Sequence, residues 1–166
     1  MENLLAQVGE IASAPQNIYS MLNDADLKCP TIKDEKGKEV EITHGNFIPL
    51  MESKDRNVRK AAFEGLYTTY ENFKNTFAQT LNGSIKANVF NARVRKYNSA
   101  LEASLDENNI PVSVYHNLIK AIHNNLDSMY KYMEIRKRAL GVEELHMYDL
   151  YTPIVQDVDF NIPYEE

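Results

Sequence analysis

From Val58 to Val89 an apolar or aromatic residue returns at every third or fourth position: Val58, Ala62, Leu66, Tyr70, Phe73, Phe77, Leu81, Ile85 and Val89. Only an α-helix gathers that spacing onto one face, so the periodicity predicts a long helix with one continuous stripe. Gly65 and Gly83 interrupt it chemically, each costing about 1 kcal/mol against alanine in a helix interior. Such positions mark a close helix contact or a bend.

A second long helix is bounded at both ends. Pro111 stands in its first turn, where a backbone N–H has no intrahelical partner, and Gly141 follows its last residue, ready for the left-handed conformation that ends helices. Val114, Leu118, Ile122, Leu126, Met129 and Met133 are its expected buried stripe, with Arg136, Lys137 and Arg138 favouring the negative end of the dipole. At the start of the chain, Leu4, Leu5, Val8, Ile11 and Ala12 share a helical face. "PQNIYSMLNDAD" reads as a separate short helix starting near Pro15. Between these helical stretches lies one β signal, "CPTIKDEKGKEVEIT", with Val40 and Ile42 alternating against Glu39 and Glu41 around a glycine turn. It predicts a hairpin over about 28–42 that packs on helices. Thr43 is one expected helix cap and Ser53 or Asp55 the next, and 98–109 a short helix and turn.

After Gly141 the helical period stops. Residues 147–166 hold two prolines and several β-branched residues and read as an extended exit segment. No repeat or linker divides the 166 residues, so the expectation is one helical segment, mainly α: an antiparallel long-helix bundle with one small hairpin.

Charge narrows the partners. Of the 24 acidic residues, seven fall in Val142–Glu166, which has no Lys or Arg; the remainder holds 18 basic and 17 acidic groups. A neutral body with an acidic tail gives a phosphate backbone little to attract it, so no nucleic-acid partner is expected. The basic runs "NARVRKY" and "EIRKRAL" lie in helical patterns and read as solvated faces. No apolar run approaches the roughly 18 residues of a membrane span, and the first residues lack the pattern of a signal peptide, which points to the cytoplasm. Cys29, the single cysteine, reads as a small hydrophobe.

Near the end, "ELHMYDLYTP" places His146, Asp149, Tyr148 and Tyr151 together and raises the question of a catalytic or metal site. E-x-x-H occurs twice, at Glu41–His44 and Glu143–His146. One spans a strand-to-helix junction and the other follows a helix-ending glycine, so neither can present both ligands from inside a long helix as a di-iron bundle does. His116 and His123 lie two turns apart, roughly 10 Å in axial rise, too far to share an ion. No histidine is followed by glutamate, so the H-E-x-x-H of zinc peptidases is absent. Neither a nucleophile motif nor a phosphate-cradling glycine loop occurs. The tyrosines at helical spacing read as half-buried packing.

Five stretches taken together resemble one family: "LNDADLKCPTIKDEKGKEVEITHGNFI", "SKDRNVRKAAFEGLYTTYENFKNTFA", "ARVRKYNSALEASL", "NNIPVSVYHNLI" and "LHMYDLYTPIV". They run in order along nearly the whole chain and are similar to the oligoendopeptidase F family of zinc metallopeptidases, of the thimet-oligopeptidase type. Position 29 departs from the phenylalanine expected there. The resemblance implies a larger helical peptidase fold that hydrolyses short peptides in a deep cleft. It implies a zinc held by the two histidines of H-E-x-x-H and a downstream glutamate, all beyond Glu166, with none bound by this chain. On that view the chain is an N-terminal and middle fragment: "PYEE" is the first turn of a following helix, and the opening helix is internal to a longer polypeptide. The segment is then expected to build cleft wall, to carry no catalytic or metal residue, and to be inactive alone. His146, Tyr148, Asp149 and Tyr151 are its candidates for the substrate cleft. The competing expectation is a free-standing, non-catalytic helical interaction module that self-associates or binds a partner through exposed apolar faces.

Overall fold

The computed structural model describes residues 2–155, with side chains from residue 7 onward. Leu4 and Leu5 side chains and the segment 156–166, including "PYEE", lie outside the described residues. Among those described the chain is mainly helical, with seven α-helices and one two-stranded antiparallel hairpin. The order is α1 (Glu2–Ser20), a π-helical turn (Met21–Asp26), β1 (Thr31–Lys33), β2 (Glu39–Glu41), α2 (Phe47–Met51), α3 (Arg56–Asn72), α4 (Lys74–Val94), α5 (Ala100–Asp106), α6 (Val112–Asn124) and α7 (Leu126–Leu140). A 3-10 turn, Met147–Asp149, follows within the expected exit segment.

The backbone forms two compact units, one of residues 1–28 and 67–127, the other of 29–66 and 128–166. In the first unit α1 and α4 run antiparallel: Tyr19 meets Phe77 with ring centroids 5.8 Å apart, while Pro15, one turn earlier, meets Gly83 farther along α4. A Cβ on Gly83 would sit 2.6 Å from Pro15 Cγ, so the glycine makes room for the proline ring. Pro15 is inside α1 and does not begin a new helix. It lacks an N–H for the ladder, yet the helix continues through it into the π-helical turn, where Leu27 N–H donates to Leu22 O at 2.8 Å.

In the second unit the hairpin pairs Thr31 with Glu41, Ile32 with Val40 and Lys33 with Glu39. Its turn closes because Asp34 Oδ1 accepts from the Lys36 and Lys38 amides at 2.8 and 2.9 Å and Gly37 takes φ +75°. Ile42, just past β2, is buried with Met51, Val58, Ala62 and Leu66. A Cβ on Gly65 would lie 2.6 Å from Ile42 Cδ1 and 2.9 Å from Pro30 Cγ, so this glycine also marks a close contact. Asp55 Oδ1 accepts from Asn57 N–H at the start of α3, as capping requires, and Ser53 Oγ accepts from Asp55 N–H just ahead of it. Thr43 does not cap α2: its Oγ1 accepts from Asn46 N–H in the preceding turn, and Asn46, the residue at the helix start, makes no side-chain capping bond.

Both long periodic stretches are broken once. Phe73 separates α3 from α4 at φ −107°, ψ 12°, its amide bonding to Tyr70 O in a tightened turn. Asn125 separates α6 from α7 in the same way. Its side-chain amide donates to Ala121 O at 2.7 Å, taking the carbonyl that its backbone N–H would use in an unbroken helix. The stripe expected to be buried along this second stretch is not: Val114, Leu118, Ile122 and Met129 are each about half exposed. None of the described residues covers that apolar face of α6. Gly141 ends α7 as expected, at φ +64°, with Val142 N–H donating to Lys137 O.

Candidate functional site

The second unit concentrates its polar burial in one place. Arg56 and Arg59, three apart on the first turn of α3, project from one face. Arg136 projects from the last turns of α7. The chain leaving α7 carries Asp149, whose side chain is fully buried.

Arg56 forms a fork on Asp149, Nε to Oδ1 at 3.1 Å and Nη2 to Oδ2 at 2.9 Å. Arg59, itself buried, donates Nη2 to Oδ1 at 2.8 Å. The His146 amide donates to Oδ2 at 3.0 Å, and the Asp149 amide returns to His146 O at 2.9 Å, which closes the turn on itself. The other guanidinium donors tie down backbone. Arg59 reaches Tyr148 O, Ser53 O and Lys54 O, while Arg136 reaches Asp149 O at 2.9 Å and also Thr152 O. Thr152 Oγ1 donates to Ser53 O. Among the described residues no buried side-chain polar atom lacks a partner.

Burial by itself would push the Asp149 carboxyl upward. The hydrogen bonds from Arg56, Arg59 and the His146 amide outweigh it and hold the group well below the usual carboxylate range. Asp149 is therefore a permanent anion with both oxygens engaged, which makes it an anchor and a poor proton acceptor. Tyr148 is held on the same node: it stacks on His146 at 4.9 Å, lies 5.2 Å from the Arg56 guanidinium carbon, and meets Phe63 edge-on at 6.0 Å. Of the four residues singled out from the sequence, Tyr148 and Asp149 are buried, whereas His146 and Tyr151 reach solvent. The turn gathers His146, Tyr148 and Asp149 at one anchor, and Tyr151 follows two residues later.

Sequence reasoning missed the three arginines. "EIRKRAL" reads as a solvated basic face, but Arg136 is buried, because two carbonyls of the returning chain replace its water. A faint signal existed in Arg56 and Arg59 sharing a face three residues apart.

A divalent metal does not fit this node. Two guanidiniums, of Arg56 and Arg59, already engage both oxygens of the one carboxylate, so a metal cation there would be repelled. Among the described residues no group of three or more His, Cys, Asp or Glu comes together. His146 Nε2 has Glu144 at 3.8 Å for company, not Glu143 of the E-x-x-H spacing. The first unit offers an open polar cleft of about 570 Å³ walled by Asn88, Asn91, Arg95, Tyr97, Asp106 and Glu107. It contains no histidine or cysteine that could attack a substrate.

Comparison with known proteins places this architecture. A profile described as "Peptidase family M3" matches residues 49–166, which include every residue of the node, and one described as "Oligopeptidase F" matches residues 1–28. The chain is 50% identical to oligopeptidase PepF of Bacillus subtilis and 46% identical to group B oligopeptidase PepB of Streptococcus agalactiae. Each match covers 99% of this chain, but 25% and 27% of the relative. The crystal structure of oligoendopeptidase-F from Enterococcus faecium superposes with a TM-score of 0.93 at 52% identity, over 96% of this chain and 30% of that one. The chain thus spans about a quarter of the length of the curated relatives it matches. On the profile match across 49–166, supported by likeness to the Enterococcus fold, the chain belongs to peptidase family M3, among the oligoendopeptidase F relatives.

Proposed function

We propose that this chain serves as a structural segment of a zinc-dependent endopeptidase that hydrolyses short peptides in the cytoplasm. It would contribute helical cleft wall and leave the chemistry to residues elsewhere in the active enzyme. The match of peptidase family M3 across 49–166 carries this reading. The node supports it, since its charged groups are engaged in holding backbone and not poised for proton transfer. On this reading Asp149 and Tyr148 position the turn, while His146 and Tyr151 offer exposed polar edges to a bound peptide. No helix among the described residues is long and apolar enough to cross a membrane.

The test uses the chain in two settings. Purified alone with zinc and a quenched fluorescent peptide, it should give no turnover above background. Joined in place of the matching quarter of Bacillus subtilis PepF, it should support turnover that a chelator abolishes. Chelator-sensitive cleavage by the isolated chain, or a folded chimera without activity, would sink the reading.

A further inference from the structure

Helix α6 has thirteen residues and buries none of them. Isolated helices shorter than about 12–15 residues are marginal in water, and helices in proteins draw most of their stability from packing an amphipathic face. That face exists here: Val114, Leu118 and Ile122 stand one turn apart at 52%, 59% and 54% exposure, flanked by Tyr115 and Ile119. It is contiguous, unlike the scattered single apolar residues any protein surface carries.

The chemistry of the helix limits what can cover it. Lys120 is the only charged residue in "VSVYHNLIKAIHN". A helix that lies on a membrane surface normally carries a strongly basic polar face, and α6 has none. Its occupant should be apolar polypeptide, and the relatives supply a source. Roughly three quarters of their length has no counterpart in this chain, and the Enterococcus fold carries the same framework within a much longer polypeptide.

Resting on the functional reading above, we infer that the Val114–Leu118–Ile122 face of α6 is the docking surface for the remaining peptidase polypeptide, against which α6 becomes a stable buried helix. Docking through this face converts a marginal helix into framework, which couples the order of residues 112–124 to assembly of the whole enzyme.

The test compares two single cysteines, Leu118→Cys on the face and Lys120→Cys about 200° around the helix, with Cys29 and any cysteine of the relative replaced by serine. Both are placed in the isolated chain and in the PepF chimera, and reaction with a small maleimide is timed under native conditions. In the isolated chain the two should react at similar rates. In the chimera the cysteine at 118 should slow at least about tenfold, the one at 120 should stay within about twofold, and amide exchange over 112–124 should slow in parallel. Equal reactivity at 118 in both settings would overturn the inference. So would protection at 118 in the isolated chain together with a dimer in sedimentation, which would make a second copy the occupant. A chimera that turns over peptide with position 118 still reactive refutes the docking face alone, whereas an inactive, folded chimera with 118 protected refutes only the functional reading. Should the chimera fail to fold, the same pair at the equivalent positions of intact PepF gives the same readout.

Discussion

The Arg56–Arg59–Arg136–Asp149 node and helix α6 solve opposite problems. At the node a buried carboxylate and two buried guanidiniums have all their partners supplied from within the chain. In α6 the apolar face is left uncovered by the described residues. An unpaired buried charge costs several kcal/mol, while an uncovered apolar face costs little until the helix must stand alone. A segment destined to sit in a larger fold can therefore leave its apolar faces for others to cover, but it must complete its buried charges locally. Breaking the node should thus damage the isolated chain, whereas substitutions on the open face of α6 should not.

The largest effect is expected from Asp149→Ala. Removing one member of a buried ion pair typically costs 3–5 kcal/mol, because the guanidiniums keep their burial and lose their partner. Urea unfolding of the isolated chain should register a loss of about that size, and a loss under about 1 kcal/mol would show the node to be ornamental. The same residue carries a pH signature. Its carboxyl in the folded chain lies below its unfolded value of roughly 3.9, so its stabilisation is complete above that value and is lost as pH falls toward the folded-state value. The stability gap between wild type and Asp149→Asn should hold from pH 7 to about 5 and narrow below about 4. A gap that widened in acid would contradict the assignment.

The contrast between the two regions also marks what could be read from the sequence. Helix content, the hairpin, the cap at Asp55 and the helix end at Gly141 follow from local rules, and each depends on residues within a few positions. Phe73 and Asn125 escaped because a single-residue break leaves the three-to-four periodicity intact on either side. In Asn125 the cause is its own side chain competing for Ala121 O, which a hydrophobic pattern does not register. The continuation of α1 through Pro15 was hidden because the compensating space is at Gly83, far along the chain. At the node, His146, Tyr148, Asp149 and Tyr151 stood out through their density, while Arg56, Arg59 and Arg136 did not. The burial of Arg59 and Arg136 depends on contacts 90 and 13 residues away in sequence, and a lone arginine in a helical pattern looks like solvent-exposed charge.

An intermediate effect tests whether tight packing in the second unit is as demanding as its charges. Gly65→Ala places a methyl 2.6 Å from Ile42 Cδ1 and 2.9 Å from Pro30 Cγ, and Ile42 is too deeply buried to swing away. Overpacking costs typically 1–3 kcal/mol, offset by up to about 1 kcal/mol of gained helix propensity. A net loss of about 1–2 kcal/mol is expected. Ile42→Val removes the clashing Cδ1, so in that background the alanine should cost clearly less. A double-mutant cycle showing no coupling would place the strain at Pro30 instead.

The smallest effect belongs to the exposed edge of the node, where the two environments meet in one residue. Arg56 donates a fork to the same carboxylate as Arg59, yet its side chain is 41% exposed against 4% for Arg59. Water and salt screen a charge so placed, and exposed ion pairs contribute about 0–1 kcal/mol. Arg56→Lys keeps the charge but loses the planar fork and the guanidinium over the Tyr148 ring. It should cost less than about 1 kcal/mol in urea unfolding, and the cost should shrink further in high salt. Arg59→Lys, by contrast, strands buried acceptors at Tyr148 O and Ser53 O and should cost several times more with little dependence on salt. Equal costs for the two lysine substitutions would mean that burial does not set the strength of this node, and the comparison between its inner and outer arginines would fail.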